Sequence, residues 1–245
     1  MIRLYLNSRS SSITSLLLLA VSLFSPGLAA EVPLRTFTAS YDLHQSGKHI
    51  AVAQLSLQGS DEFWRWRMTT KARGIYALFT SKSLYSETSF MQNNNDIQLQ
   101  QIVVSDSTDK EKHESANFDW KGGSIAVLRR GKQKQLPLDA EVYDYNSIHL
   151  LTAAMYLRQL KHTTVDFYRK GRLVKSKVVY SGEEIIDVNG DAIDALAYEQ
   201  LIVGSNSKIK YYYEADNPLL PLRIEKLESD ESPTTLSLRE VNWDL

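Results

Sequence analysis

The sequence predicts a mainly β fold, a curved antiparallel sheet or incomplete β-barrel enclosing one α-helix. Three observations predict it: period-two alternation over most of the chain, turn chemistry between the alternating segments, and one persuasive helical stretch at about 147–161. The N-terminal segment stands apart from this pattern. Residues 1–30 carry Arg3 and Arg9, an apolar run from Ile13 to Phe24, and then Ser25-Pro26-Gly27-Leu28-Ala29-Ala30. This is the layout of a secretory signal, with cleavage expected after Ala30 or, as the alternative, Ala29. The apolar run is about a dozen residues, short of the roughly 20 that span hydrocarbon. The expected organisation is therefore a signal peptide over 1–30 and a single β-rich domain over 31–245.

From Thr36 to Leu57 two strands meet around Ser46-Gly47-Lys48, with Ala39, Tyr41 and Leu43 alternating against Thr38, Ser40 and Asp42. Phe63 to Arg73 repeats the pattern: Trp64, Trp66 and Met68 share one face, Arg65, Arg67 and Thr69 the other. Extended segments follow at Leu84–Met91, Ile97–Ser105, Glu114–Trp120 and Ser124–Arg129. Asn93-Asn94-Asn95-Asp96, Lys121-Gly122-Gly123 and Arg130-Gly131-Lys132 separate them with turn-forming residues. Strands resume at Thr164–Arg169, Arg172–Tyr180, Glu183–Val188, Ala192–Val203, Lys208–Glu214, Leu222–Glu228 and Thr234–Asn242. Asn189-Gly190 gives a two-residue hairpin signal, because both positions tolerate positive φ. About thirteen strands in hairpin-linked order are most economically protected by a strongly curved sheet.

The helix spans Ser147 to Lys161, with Asn146 or Ser147 as N-cap. Leu160, Leu157, Leu150, Ala154, Leu151, Met155 and Ile148 sweep more than half of its circumference. So wide an apolar arc implies cover on several sides, as in the hollow of a curved sheet. Arg158 falls inside the arc and requires a partner or an escape to water. Asp144 is the expected partner, with Glu199 or Glu225 as fallbacks.

Composition narrows the function. Removing Arg3 and Arg9 from the 28 basic residues leaves 26 against 29 acidic ones, a mature charge of −3 that favours no nucleic-acid partner. No other stretch suits a helical membrane span. Cysteine is absent, which excludes disulfides, thiol nucleophiles and a lipidated N-terminal Cys. An export signal without that anchor points to a periplasmic or secreted protein.

Several ordered segments resemble the bacterial exported family known as domain of unknown function 3108. They are Tyr41-Asp42-Leu43, Gly74-Ile75-Tyr76, Phe118-Asp119-Trp120, Tyr143-Asp144-Tyr145-Asn146-Ser147, Gly182-Glu183-Glu184 and Leu220-Pro221-Leu222-Arg223-Ile224-Glu225. The resemblance implies compartment and a β-rich fold, and brings no catalytic residue. The half-barrel it implies is similar to periplasmic lipoprotein carriers and lipid-binding envelope sensors, an analogy of architecture alone.

Catalytic motifs are not found. His44, His49, His113, His149 and His162 are scattered without metal-ligand spacing and are expected at surfaces or turns. Glu183-Glu184 with Asp187, or Asp191 with Asp194, could form a carboxylate site, but alternation sets Glu183 opposite Glu184 and favours solvated strand edges. Arg129-Arg130-Gly131-Lys132-Gln133-Lys134 could hold phosphate, yet sits at a hairpin tip where a solvated turn is the simpler reading. No cofactor and no metal are expected.

The aromatic residues are more informative. Trp64, Trp66, Met68, Tyr211 and Tyr213, the loop residues Tyr76 and Phe79, and Met155 of the helix are the expected lining of an apolar cavity. The expected function is an extracytoplasmic binding or carrier protein, not an enzyme, for an amphipathic ligand such as lipid, lipopolysaccharide or acyl chains. The alternatives are an envelope structural or assembly factor that binds a protein through exposed sheet edges, and a hydrolase with a dispersed site.

Overall fold

The structure is a computed structural model that describes residues 31–74, 77, 83–93, 96–206, 208–228 and 231–244. The expected signal peptide, Tyr76, Phe79 and the turn residues Asn94-Asn95 lie outside the described residues.

Fifteen strands are seen among these residues: β1 (Phe37–Gln45), β2 (Lys48–Ser60), β3 (Phe63–Ala72), β4 (Ser83–Asn93), β5 (Asp96–Asp106), β6 (Asp109–Asp119), β7 (Ser124–Arg129), β8 (Lys132–Pro137), β9 (Val142–Tyr143), β10 (His162–Arg169), β11 (Arg172–Val188), β12 (Asp191–Ile202), β13 (Lys208–Glu214), β14 (Asn217–Glu228) and β15 (Glu231–Trp243). Helix α1 (Ile148–Leu157) lies between β9 and β10. All fifteen strands join one sheet in the order β8-β7-β6-β5-β4-β3-β2-β1-β15-β14-β13-β12-β11-β10-β9. The first and last strands therefore pair at its centre, and two meanders run outward from them. Every pairing is antiparallel except β9 with β10. The sheet is open and strongly curved around the helix, as the sequence predicts.

The roll continues past closure, and among the described residues no ladder joins its edges, β8 and β9. Neighbouring residues of a strand face opposite ways, yet Phe167 and Tyr168 of β10 are both buried. Phe167 faces the helix side with Tyr211 and Tyr213, while Tyr168 meets Phe118 of β6 edge-on, with ring centroids 6.4 Å apart. The β10–β11 turn is fastened there too: the Gly171 N–H donates to Glu114 Oε1 at 2.8 Å, and Arg129 Nε donates to Glu114 Oε2 at 2.6 Å. Lys170 and Gly171 both have positive φ, as a two-residue hairpin turn demands. The outside of β10 thus rests on the inside of β6 and β7.

Two clusters divide the helix between them. Leu150 and Ala153 join the large core of β1–β7, while Ile148, Leu151 and Met155 pack against β10–β13. Each fully buried side chain of this size contributes roughly 1.5–3 kcal/mol. The helix is shorter than its pattern suggests. Gln159 takes φ 54, the Leu160 N–H reaches Met155 O at 2.8 Å, and the Gln159 N–H reaches Tyr156 O at 3.0 Å. This paired closure, here without the usual glycine, ends α1 at Leu157. Arg158 is consequently the exposed C-cap rather than a member of a buried arc, and Leu160 is also exposed.

The expected strands Arg172–Tyr180 and Glu183–Val188 are one strand, β11, interrupted by a bulge at Ser181. Tyr180 pairs with Tyr198 and Gly182 with Ala197, so the extra residue exchanges the two faces. Ser176 and Val178 point inward before the bulge; Ile186 and Val188, of the same parity, join a cluster with Tyr212 after it. The hairpin tip folds outward onto the neighbouring strands, where Asn189 Nδ2 donates to Arg239 O at 3.2 Å and Arg223 donates to Asp187 O. No helix among the described residues is long and apolar enough to cross a membrane.

Candidate ligand pocket

The inner face of the roll leaves an apolar cavity of about 490 Å3 at one end. Tyr41 of β1, Ala53 and Leu55 of β2, Met68 of β3 and Leu84 of β4 form one wall; Ile209 and Tyr211 of β13, Ile224 of β14 and Leu236 of β15 form the other. Tyr145, Asn146 and His149 cover it from the helix N-terminus. Arg169 and Lys170, at the end of β10, together with Lys226 supply its positive charge. None of the sixteen lining residues is a carboxylate.

The helix is held over this cavity by a buried polar lock. Asp144 Oδ1 accepts from the Ser147 N–H at 2.8 Å and from Ser147 Oγ at 2.7 Å, and Asp144 Oδ2 accepts from Thr88 Oγ1 of β4 at 2.6 Å. Asn146 Nδ2 donates to the same Thr88 hydroxyl at 3.1 Å. Burial pushes the Asp144 carboxyl above the ordinary range, against the pull of the Thr88 and Ser147 bonds. Asp144, the partner that the sequence suggests for Arg158, thus binds Ser147 and Thr88 at the N-terminal end of α1, whereas Arg158 caps the opposite end. The fallback carboxylates are occupied as well: Glu199 binds Lys208 Nζ at 2.7 Å, and Glu225 lies 3.6 Å from Arg223.

His149 is the residue that sequence reasoning missed. Expected at a surface, it is 2% exposed. Its ring stacks on Trp66 with centroids 5.0 Å apart, and its Nδ1 lies 2.7 Å from the Tyr213 hydroxyl. Burial drives its pKa down to about 3, so the ring is neutral. Burial likewise pushes the phenols of Tyr41 and Tyr211 up. All three groups are therefore held in their uncharged forms.

The expected lining residues are only partly gathered here. Met68 and Tyr211 line the cavity. Trp66 and Tyr213 stand one layer behind it, both in contact with His149. Met155 is buried at the far end of the helix, beside a separate cavity of about 100 Å3. Trp64 is spent elsewhere, its Nε1 donating to Asp61 O at 3.0 Å. Arg169 was legible in principle: two residues after Phe167, it places a charge on the face of β10 that packs inward. Of the carboxylates considered earlier, Glu184 pairs with Lys210 at 2.5 Å.

Several of the segments that carry the family resemblance are fixtures of this frame. The Tyr41 hydroxyl donates to Pro221 O at 2.8 Å and so ties two of them together. Trp120 Nε1 donates to Leu99 O at 2.7 Å, Asp144 locks the helix, and Gly182 makes the bulge with φ 118.

Known proteins support the same frame. No curated protein matches the chain. Among solved structures, the β-barrel-like protein of domain of unknown function DUF1849 from Brucella abortus is similar over 87% of this chain and 100% of its own, with 12% identity and a TM-score of 0.57. That likeness concerns the fold alone. A protein with a YmcC-like fold from Bacteroides fragilis covers 86% of this chain and 98% of its own at 7% identity, with a TM-score of 0.34, too low to carry an argument. The model of the family described as "Protein of unknown function (DUF3108)" matches residues 37–237, from the first residue of β1 into β15, and the chain belongs to that family.

Proposed function

We propose that this protein is an extracytoplasmic binding or carrier protein that takes the acyl chain of an amphipathic envelope ligand into the cavity beneath α1. The observation that carries the reading is the cavity itself. Its 490 Å3 lies within the roughly 300–1,000 Å3 typical of small-molecule sites, and Leu55, Met68, Ile209, Ile224 and Leu236 give it apolar walls. A filled core would have closed this volume, since protein interiors leave few voids larger than a water molecule. The secretory layout of residues 1–30 supports a place outside the cytoplasm.

The assembly-factor alternative is less well supported. Edge β8 carries Lys132, Lys134 and Pro137, and edge β9 has two residues, the features that discourage strand addition. The test is mass spectrometry of an organic extract from the mature chain purified without detergent. A co-purifying acyl species at near one per protein is the expected result. A clean protein that also takes up no acyl chain on incubation would contradict the proposal.

A further inference from the structure

We infer that the ligand of this cavity carries an anionic head group, a carboxylate or phosphate, held at the mouth by Arg169, Lys170 and Lys226. The inference rests on the acyl-binding reading above and specifies the other end of the molecule. The chain as a whole is nearly balanced, with 28 basic and 29 acidic residues, so a wall with three cations and no carboxylate is a local departure.

Arg169 is the strongest part of the argument. It shares the inward face of β10 with the fully buried Phe167, and its Nε is buried with no hydrogen-bond partner among the described residues. Arg169 is also one of the residues that line the cavity, which sets its guanidinium charge beside the space the ligand would fill. The nearby carboxylates are engaged elsewhere: Asp166 binds Lys175 at 2.8 Å, and Glu114 is taken by Arg129 and the Gly171 N–H. The fork of a guanidinium suits the paired oxygens of carboxylate or phosphate, and a lysine adds a point charge beside it.

The cations are also held in place before any ligand arrives. Lys170 and Gly171 form a tight turn that Glu114 fastens to β6, so neither Arg169 nor Lys170 rides on a loose loop. Such preorganisation lowers the ordering cost of binding. The chain enters between Leu55 and Leu236, and the head group stays at the rim.

The experiment compares three ligands on the mature chain by calorimetry below their micelle concentrations: oleate, an oleoyl lysophosphatidylglycerol, and neutral monoolein. Each is titrated into wild type, Arg169→Gln, Arg169→Lys, Lys170→Asn and Lys226→Gln. One or both anions should bind at least about tenfold more tightly than monoolein, and Arg169→Gln should remove roughly tenfold of that preference while Arg169→Lys retains part of it. Whichever anion gains more identifies the head group as carboxylate or phosphate. Lys170 is exposed on its turn, so Lys170→Asn reports on the charge even if Arg169→Gln fails to fold. Equal binding of all three ligands, or anion binding indifferent to all four substitutions, would overturn the head-group inference and leave the acyl pocket standing. Failure of all three ligands to bind would overturn the acyl pocket as well.

Discussion

His149 couples the pocket to the stability of the core. A histidine whose folded pKa of about 3 lies below its ordinary 6.5 binds fewer protons folded than unfolded, so its contribution is intact above 6.5 and is lost as pH falls toward 3. The loss is on the order of 1.4 kcal/mol per pH unit within that window. Urea melts between pH 6.5 and about 4.5, above the ordinary carboxylate range, should show wild type losing stability that His149→Gln does not lose. Parallel pH profiles in the two proteins would contradict the burial of a neutral ring. Asp144 acts in the opposite sense: its raised carboxyl stabilises below the unfolded value near about 3.9 and loses that contribution as pH rises toward the folded value. The sequence concealed His149 because histidine is polar on any helical wheel. What buries it is Trp66, Tyr211 and Tyr213, contributed by strands far along the chain. Arg158 misled in the other direction, because the turn that excludes it from α1 is built on Gln159 rather than a glycine.

At the scale of elements, alternation located most strands but could not say how they bend. β11 shows why. Its halves were legible as separate strands, yet the bulge that joins them is a matter of one residue, and its consequence is that Tyr212 is buried on the outer face as well as Tyr211 and Tyr213 on the inner. Gly182 holds φ 118 in open space, so an added Cβ meets no atom and the cost of a side chain there is backbone strain alone. Gly182→Ala should destabilise by about 1–3 kcal/mol, whereas Ser181→Ala, at an exposed position, should stay within about 0.5 kcal/mol. Chemical denaturation of the two variants decides the matter, and equal stabilities would show that the bulge is not conformationally demanding. β8 and β9 escaped notice for a different reason: Lys132–Pro137 opens with four polar residues and has Leu136 as its one aliphatic side chain, and Val142–Tyr143 is too short to display a period.

At the scale of the whole molecule, a sheet that rolls around one helix and overlaps its own edges leaves a hollow that the helix only partly fills. The curved sheet around one helix follows from the strand count and the wide apolar arc, both of which were legible. The overlap of the edges was not, because it depends on contacts between segments far apart in the chain, such as Tyr168 with Phe118 and Gly171 with Glu114. The site was less legible than the sheet, because its walls come from eight strands, the segment before the helix and the helix itself, and only Met68 and Tyr211 were singled out beforehand as its lining. Lys170 and Lys226 look like any surface lysine until the roll brings them to one rim. The most direct test of the account is oleate binding to the wild-type chain and to Leu236→Trp, a half-buried wall position where the larger ring fills the cavity. Native mass spectrometry should find one oleate per wild-type chain and at least roughly tenfold weaker binding to a Leu236→Trp protein of unchanged melting temperature. Equal occupancy of both proteins would place the ligand elsewhere and contradict the account.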